Sequence, residues 1–308
     1  MRVLLIANTL PPADVSGVGE QVLQFAAGLR DAGHEAEVLG RSRRWPKVLF
    51  PLTVVPAAWG KLRSFRPDVV QVHESDGALA ALLVRLLRPF SKHRPRLFAL
   101  LQVSYREERR AVRALTAPDG RVLGRPGAVE RRFRRGKARF QVLLGQLTAR
   151  LADRVLAPSR VTAGEIERDY GVDGVRVVPN VTGGLAVEPA PLPVKAAALP
   201  AGEALLFVGR LRIRKGVEVL FEALAALRRQ GLSPRLLVAG DGEHCEALEA
   251  KAAELELGDA VVFLGRCDAG EVRSLLAHAR ALVVPSTYEG MPLVILEAMQ
   301  AGLPVVAS

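Results

Sequence analysis

The sequence predicts an α/β protein of two domains, each built on a parallel sheet. Short β-branched runs alternate with longer helical stretches, which is typical of parallel sheets covered by helices. A segment rich in Gly, Pro and Ala at 182–203 interrupts this alternation, and the pattern then starts again. A chain of 308 residues, 49% of them hydrophobic, is long enough for two cores of ordinary size. We therefore expect a first domain at 1–181, a linker at 182–203 and a second domain at 204–308, with a cleft between the domains.

Strands are predicted wherever a short apolar run is bounded by turn residues. They lie at 3–7, 35–39, 68–72, 97–101, 155–157 and 175–178 in the first half, and at 205–208, 236–239, 261–264, 281–284 and 305–306 in the second. Helices are predicted from near Gly17 and at 78–87, 217–229, 246–256, 269–279 and 293–300. No helix follows the last strand, although a doubly wound domain has helices on both sheet faces, so we expect the second domain to be incomplete in this sequence.

The positive charge of the chain is concentrated in one region. The net charge is +11, from 43 basic and 32 acidic residues, and positions 85–139 hold 17 basic residues but only four acidic ones. Between Arg131 and Arg139 the pattern predicts a basic helix. Two interpretations stay open for it: a solvated helix face, or a surface that attracts an anionic partner such as a membrane. Nucleic acid is not expected as a partner, because few aromatic residues interleave with the charges and no recognition motif is present.

Cysteine content and hydropathy predict a location in the cell. Cys245 and Cys267 lack the spacing of a metal site, which favours a reducing compartment. Met1 leads directly into a strand, so no signal peptide is expected. No uncharged apolar run reaches the roughly 18 residues of a membrane-spanning helix. We expect a cytoplasmic protein, at most peripheral at the inner membrane surface.

The densest chemical signal follows the predicted strand at 281–284. Pro292 suits the first turn of a helix, and the backbone N–H groups of Gly290 and Met291 would then face the strand's carboxyl end, where open α/β sheets bind ligands. The helix is apolar almost all round, which predicts burial, and Glu297 is its one charge. The vicinal hydroxyls of a ribose could partner that carboxylate. Glu289 could hold sugar hydroxyls or steady developing positive charge. The alternative is a helix cap at Glu289 and an internal partner for Glu297.

A second signal lies at 207–216, where another strand ends. Arg210 and Lys215 place two cations beside a helix N-terminus, an arrangement that suits a diphosphate. A Walker A loop is excluded, since its Gly-x-x-x-x-Gly-Lys-Ser/Thr pattern does not occur here. Charges solvated in a loop are the alternative, and we expect Arg212 and Arg214 to be of that kind. After the strand at 261–264, Arg266 and Cys267 could border a nucleotide base.

Together these motifs resemble glycosyltransferase family 4, also called group 1, whose members are retaining enzymes. Glu289 and Glu297 match the family's Glu-x7-Glu motif, and they stand together with Gly209-Arg210, Lys215-Gly216 and the run at 301–306. The resemblance covers essentially the whole chain. It implies the GT-B fold, in which two Rossmann-like domains with parallel sheets face each other across a cleft.

The resemblance also implies a reaction: a hexosyl unit moves from a nucleoside diphosphate sugar to an acceptor hydroxyl with retention at the anomeric carbon. The acceptor would be a glycan, a lipid or a small molecule, and it could carry negative charge; no metal or further cofactor is implied. The resemblance implies that Arg210 and Lys215 hold the diphosphate and that Gly17 and Gly19 approach the donor phosphates or the acceptor. The donor sugar would be held by Glu289, Gly290, Met291 and Pro292. The ribose would be bound by Glu297.

One departure concerns catalysis. The family commonly has a His after the strand that corresponds to 97–101, whereas Gln102 and Ser104 stand there in this chain. His73, at the end of another strand, is the candidate for acceptor or donor contact, and we group it with Glu289 as catalytic; a plain loop histidine is the alternative. A second hypothesis for the whole chain is therefore a sugar-nucleotide-binding protein without catalytic activity.

Overall fold

The computed structural model describes residues 1–10, 17–41, 46, 49–90, 93–182 and 188–308, and all structural statements below refer to these residues. Contacts divide the chain into two units. The first comprises Met1–Arg109, Gly136–Leu185 and Gly290–Pro292, and the second comprises Arg110–Arg135, Ala186–Glu289 and Leu293–Ser308. The predicted division was continuous in sequence, whereas these units are interleaved. Residues 110–135 group with the second unit, although the segment Gly136–Leu185 of the first unit separates them from the rest of it.

The strands follow the predicted positions closely. They are β1 (Arg2–Ile6), β2 (Glu35–Leu39), β3 (Val69–His73), β4 (Arg96–Leu100), β5 (Leu115–Thr116), β6 (Val122–Gly124), β7 (Arg154–Ala157), β8 (Arg176–Val177), β9 (Ala204–Val208), β10 (Arg235–Ala239), β11 (Val261–Gly265), β12 (Ala281–Val284) and β13 (Val305–Ala307). The short β5–β6 hairpin was not predicted.

The helices include several that the sequence pattern did not predict. They are α1 (Gly17–Asp31), α2 (Phe50–Ser64), α3 (Ala78–Leu87), α4 (Tyr105–Ala111), α5 (Ala128–Arg135), α6 (Lys137–Leu151), α7 (Arg160–Tyr170), α8 (Val194–Ala197), α9 (Val217–Arg229), α10 (Cys245–Glu254), α11 (Ala269–His278) and α12 (Leu293–Gln300). The helices α2, α4, α7 and α8 are the additions.

The first unit is built on a six-stranded parallel sheet in the order β2-β1-β3-β4-β7-β8. Successive strand residues point to opposite faces, and the cores reflect this. On one face Leu4 and Ile6 pack with α2 and α3, and on the other Val3 and Leu5 pack with α1. The sheet is therefore covered by helices on both faces, as predicted for an α/β fold.

The second unit is built on a five-stranded parallel sheet in the order β11-β10-β9-β12-β13. Phe207 packs with α9 and α10 on one face, and Leu206 packs with α11 and α12 on the other. Residues 188–203 of the predicted linker belong to this unit, because Leu199 is buried in its core and Ser274 Oγ donates a hydrogen bond to Ala190 O at 2.5 Å. The predicted α/β class with two parallel sheets is confirmed.

Candidate functional site

The two strongest sequence motifs lie at one edge of the second sheet, where its parallel strands end. Gly209 follows β9 and donates a backbone hydrogen bond to Ala239 O at the end of β10 (2.9 Å). Gly240 in turn donates to Gly265 O, the last residue of β11 (2.7 Å). The loops after these strands thus contact one another along the carboxyl edge, which is where open α/β sheets bind ligands.

The β9–α9 loop also packs directly on the loop after β12. Gly216 has a positive φ of 68°, and a Cβ at this position would lie 1.9 Å from the carbonyl oxygen of Pro285, so only glycine fits. The backbone N–H of Thr287 donates to Arg214 O at 2.8 Å. These backbone contacts fix the distance between the cations of one loop and Glu289 of the other.

Glu289 lies between two cations of the β9–α9 loop. Its carboxylate forms an ion pair with Lys215 Nζ, and its second oxygen is 3.5 Å from Arg214 Nη1. Ser286 Oγ donates to Glu289 Oε1 at 2.9 Å, and Arg214 Nη1 donates to Tyr288 O at 3.1 Å. The expectation that Arg214 is merely solvated is therefore wrong. The backbone contact between the two loops brings its side chain to the carboxylate.

Electrostatics keep the Glu289 carboxylate ionised. Burial by itself would raise its pKa, but the charges of Lys215 and Arg214, with the hydrogen bonds from Lys215 and Ser286, hold the pKa below its usual value. Burial lowers the pKa of Lys215, although the negative charge of Glu289 acts to raise it. Arg210 is exposed and makes no hydrogen bond or ion pair with the part of the chain that the structure describes. An anion bound at this loop could thus contact one exposed cation, Arg210, and two half-buried ones, Arg214 and Lys215.

Helix α12 is less buried than the sequence predicts. Only Ala298 is buried, Met299 is 65% exposed and Glu297 is half-buried. The reason is that the helix packs on the core from one side, through Val294, Ile295 and Ala298. The expectation of a fully buried carboxylate at Glu297 is wrong, although a half-buried carboxylate can still accept hydrogen bonds from a diol.

The loop after β11 holds the residues predicted to border a base. Arg266 is exposed, and Cys267 is half-buried with its Sγ 3.8 Å from Gly265 O. Burial, with smaller contributions from nearby carboxylates, raises the pKa of the Cys267 thiol to about 11. Asp268 caps α11, accepting from Glu271 N at 2.8 Å. The role of Arg266 and Cys267 toward a base stays a prediction.

In the first unit, the predicted glycine loop is described only in part. Residues 11–16 lie outside the described residues, and α1 begins at Gly17 as predicted. A Cβ on Gly19 would lie 2.1 Å from Thr9 O. The close approach that requires glycine here is thus to the chain's own backbone. The role of Gly17 and Gly19 toward donor phosphates stays a prediction.

His73 ends β3 with its ring inside the first unit. The side chain is 2% exposed, and Gln71 Nε2 lies 3.0 Å from its Nε2. Burial lowers the pKa of His73 to about 4, so the ring is neutral at neutral pH. A group buried to this degree reaches an acceptor or donor only if its neighbours move. A catalytic role for His73 therefore stays a prediction that this placement does not support.

The positions where a family His was expected are occupied by bonded polar groups. The amides of Gln102 and Asn180 bond each other reciprocally at 3.0 and 2.9 Å, and Asn180 Nδ2 also donates to Met291 O at 3.0 Å within the first unit. Ser104 Oγ donates to Asp169 Oδ2 at 2.5 Å. The amide pair thus holds the backbone of Met291, one of the predicted sugar-binding residues.

A buried ionic cluster in the second unit was missed by sequence reasoning. His244 Nε2 lies 2.9 Å from Glu130 Oε2 and His244 Nδ1 lies 3.3 Å from Glu218 Oε1, with all three residues at most 5% exposed. Glu130 Oε1 also accepts from the backbone N–H of Ile213 at 3.1 Å. Glu130 belongs to α5, so this carboxylate joins the segment 110–135 to the loop that carries Lys215. No local pattern signals such a cluster.

Residues 15–182 match the family model Glycosyltransferase Family 4, and residues 196–308 match the model Glycosyl transferases group 1. The chain belongs to glycosyltransferase family 4. This glycosyltransferase is 28% identical to glycogen synthase of Mycobacterium tuberculosis (strain CDC 1551 / Oshkosh) over 353 aligned positions, which cover 100% of this chain and 78% of that protein.

Two solved structures share the fold of this glycosyltransferase. Sucrose-phosphate synthase from Thermosynechococcus elongatus matches with a TM-score of 0.74 at 22% identity, over 99% of this chain and 80% of that chain. The Anabaena protein HepE in complex with UDP and glucose matches with a TM-score of 0.63 at 17% identity, over 100% and 80%. These identities show the fold alone, and the predicted GT-B class is confirmed. Among the described residues of the glycosyltransferase, no helix is both long and apolar enough to cross a membrane.

Proposed function

We propose that this glycosyltransferase moves a hexosyl unit from a nucleoside diphosphate sugar to an acceptor hydroxyl, with retention at the anomeric carbon. One observation carries the proposal: Lys215 and Arg214 meet the carboxylate of Glu289 at the carboxyl edge of the second sheet, beside the exposed Arg210. The cations suit a diphosphate and the carboxylate suits sugar hydroxyls. The Anabaena relative, with UDP and glucose bound, supports a donor of this class.

The work of the site in this proposal is to stabilise the departing diphosphate. Negative charge develops on the leaving group as the bond to the sugar breaks, and in this proposal the cations of Arg210, Arg214 and Lys215 stabilise that charge. They supply the positive charge that a metal ion supplies in other enzymes, so we expect no metal and no further cofactor. A covalent enzyme intermediate is not required by this scheme.

The remaining donor contacts follow the family motif. We propose that Glu297 binds the ribose and that Glu289, Gly290, Met291 and Pro292 hold the sugar. Arg266 and Cys267 would border the base, and Gly17 and Gly19 would approach the donor phosphates or the acceptor. The half-burial of Glu297 supports the ribose role, because a bound diol could still reach the carboxylate.

The acceptor we propose is a glycan, a lipid or a small molecule that carries negative charge or lies at a membrane surface. Support comes from α5, where Arg131, Arg132, Arg134 and Arg135 are all exposed and Glu130 is turned inward. We expect the enzyme in the cytoplasm, because Cys245 and Cys267 are both free, as in a reducing compartment.

A thermal-shift screen tests the donor proposal. UDP, GDP, ADP and their sugars are added to the wild type and to Glu297→Ala. We expect one nucleotide series to raise the Tm of the wild type, with a smaller shift in the variant because the ribose loses its carboxylate partner. If no nucleotide raises the Tm of a wild-type chain that circular dichroism shows to be folded, the donor proposal is wrong.

A second candidate, donor binding without transfer, is favoured by the bonded state of Gln102 and Ser104 where a His was expected. Incubation of the chain with the donor that passes the screen, and with sugar and lipid acceptors, separates the two candidates. Transfer or donor hydrolysis supports the enzyme. Calorimetric binding with neither reaction, across UDP-, GDP- and ADP-sugars, supports the binding protein. The anomeric configuration of any product, read by nuclear magnetic resonance, decides retention.

A further inference from the structure

Three neighbouring helices of the first unit form a layer with an unusual charge. The helices α2, α3 and α6 pack side by side on one face of the sheet, and none of them contains an Asp or a Glu. By contrast, α1 on the opposite face contains two acidic residues and α7, beyond α6, contains three. We call α2, α3 with the turn Arg88–Phe90, and α6 the basic layer. Its basic residues are Lys61, Arg63, Arg85, Arg88, Lys137, Arg139 and Arg150.

The outer surface of the basic layer also exposes large apolar side chains. The residues of α2 and α3 that point to the sheet, among them Val54 and Val84, are buried in the core, so the exposed residues lie on the outer side. Every exposed Leu, Phe and Trp among the described residues of the first unit is on this layer: Leu52, Trp59, Leu86, Phe90, Phe140 and Leu143. Phe90 is 87% exposed. Grouped apolar side chains on a surface mark an interaction site.

A cavity opens at one end of the layer. It holds about 250 Å³ and lies between the ends of α2 and α3, with Trp59, Arg63, Arg66, Phe90 and His93 in its wall. None of its described lining residues is Asp or Glu. The Arg63 guanidinium lies 5.0 Å from the centre of the Trp59 ring. The cavity thus combines an apolar wall with cations, which suits the junction between a phosphate group and its hydrocarbon part.

Some charges of the layer are already paired. Lys61 forms an ion pair with Glu37 at 2.6 Å, and Arg85 and Arg88 share Asp153 at 3.3 and 2.6 Å. The cavity residues Arg63 and Arg66 make no ion pair with a carboxylate of the described chain. A partner that complements this face therefore brings negative charge together with apolar groups.

We propose that the outer face of the basic layer docks on an anionic lipid bilayer, with a lipid phosphate in the cavity beside Arg63 and Arg66. Trp59 and Phe90 would then lie at the level of the head groups, where amphipathic aromatic side chains are stable, and the arginines would bind lipid phosphates. The basic helix α5 does not offer this combination, because Val129 is the one large apolar side chain on it that is more than a third exposed. The inference stands apart from the donor site, all of whose cations belong to the second unit.

Vesicle co-sedimentation tests the proposal. The full chain is mixed with vesicles of phosphatidylglycerol and phosphatidylcholine in equal parts, or of phosphatidylcholine alone. We expect binding to the anionic vesicles only, weakened roughly tenfold or more by Arg63→Gln/Arg66→Gln, at about 1 kcal/mol for each charge lost near the surface. Trp59→Ala/Phe90→Ala should weaken it as well. The matched control is Arg229→Gln/Arg235→Gln, which removes the same charge from exposed positions of the second unit and should keep the binding.

Fluorescence locates the contact. In a Trp45→Phe variant Trp59 is the one remaining tryptophan, and its emission should shift to the blue and be quenched by brominated lipids. Each variant is checked by its Tm and by its response to the nucleotide of the donor screen, which the layer variants should retain. Absence of binding to anionic vesicles overturns the proposal. So does an equal loss in the Arg229→Gln/Arg235→Gln control, or Trp59 emission that the vesicles leave unchanged.

Discussion

Lys215 and Glu289 stand 74 residues apart in the sequence and form a half-buried ion pair at the carboxyl edge of the second sheet. Arg214 adds a second cation to the same carboxylate. A donor diphosphate that reaches Lys215 must compete with Glu289 for it, and a carboxylate released from the lysine becomes available to sugar hydroxyls. The pair thus links the phosphate and sugar halves of the proposed donor site.

Removing the lysine charge should weaken donor binding. We expect Lys215→Met to raise the Kd for the nucleoside diphosphate roughly tenfold to a hundredfold, because hydrogen bonds to charged groups contribute about 1.5–3 kcal/mol. Calorimetric titration measures the change. Arg229→Gln, at the other end of α9 and exposed, removes the same charge away from the loop and should leave the Kd unchanged. Equal Kd values for the wild type, Lys215→Met and Arg229→Gln would show that Lys215 does not bind the diphosphate.

Neutralising the carboxylate should separate binding from transfer. In Glu289→Gln the lysine loses its anionic competitor, so we expect the Kd for the nucleoside diphosphate to stay within about threefold or to improve. We expect kcat to fall by about a hundredfold or more if the carboxylate acts on the sugar in the transition state. Steady-state kinetics and titration together give the two effects. A diphosphate Kd that rises as much as in Lys215→Met, with kcat unchanged, would make Glu289 a positioning residue for the lysine instead.

The glycine between the two loops offers a stability test with a built-in control. Gly216→Ala and Gly231→Ala both place a side chain at a positive φ, 68° and 80°, but the new Cβ meets Pro285 O at 1.9 Å only at Gly216. We expect a loss of about 1 kcal/mol at Gly231, and of more than twice that at Gly216 because the backbone must move apart. Urea denaturation measures both. Similar losses of unfolding free energy in the two variants would show that the two loops can move apart at Gly216 without an added cost.

The ionic cluster around His244 should make stability depend on pH. The hydrogen bond from the ring to Glu130 and the Glu218 carboxylate 3.3 Å from Nδ1 outweigh burial and raise the pKa of His244 to about 9, against 6.5 in the unfolded chain. A raised folded-state pKa means that the stabilisation is complete below pH 6.5 and is lost as pH rises through 9. The free energy of unfolding should therefore fall between pH 6.5 and 9.5 in the wild type, and less steeply in His244→Gln. If the free energy of unfolding followed parallel pH profiles in the wild type and in His244→Gln, the raised pKa of His244 would be contradicted.

The sequence predicted the sheet strands well because buried parallel strands appear as short apolar runs. The end of β12 and the loops after β9 and β11 were therefore placed at the correct edge of the sheet. Helix α2 was missed, since Pro51 and Pro56 obscure its helical pattern, although Pro51 lies in the first turn and Pro56 on the exposed side.

The partners within the candidate site could not be predicted in the same way. Arg214 was expected in solvent, yet the contact of two loops, set by Gly216 and Pro285, carries it to Glu289. The burial of His73 likewise depends on which neighbours cover its ring. Pairings between positions 74 or 114 residues apart, as for Lys215 with Glu289 and Glu130 with His244, leave no local pattern in a single sequence.

The grouping of residues 110–135 with the second unit has a consequence for protein engineering. A chimaera that joins the first half of this enzyme to the second half of a relative, cut at the predicted linker, would keep Glu130 but lose its histidine, and leave the buried carboxylate without the cation that offsets its desolvation. An exchange of residues 110–135 together with 188–308 keeps the buried ion pairs described for the second unit, those of Glu289 with Lys215 and of His244 with Glu130 and Glu218, within one parent sequence. Recombination at three junctions, two around residues 110–135 and one before residue 188, is therefore the design from which folded hybrids are expected.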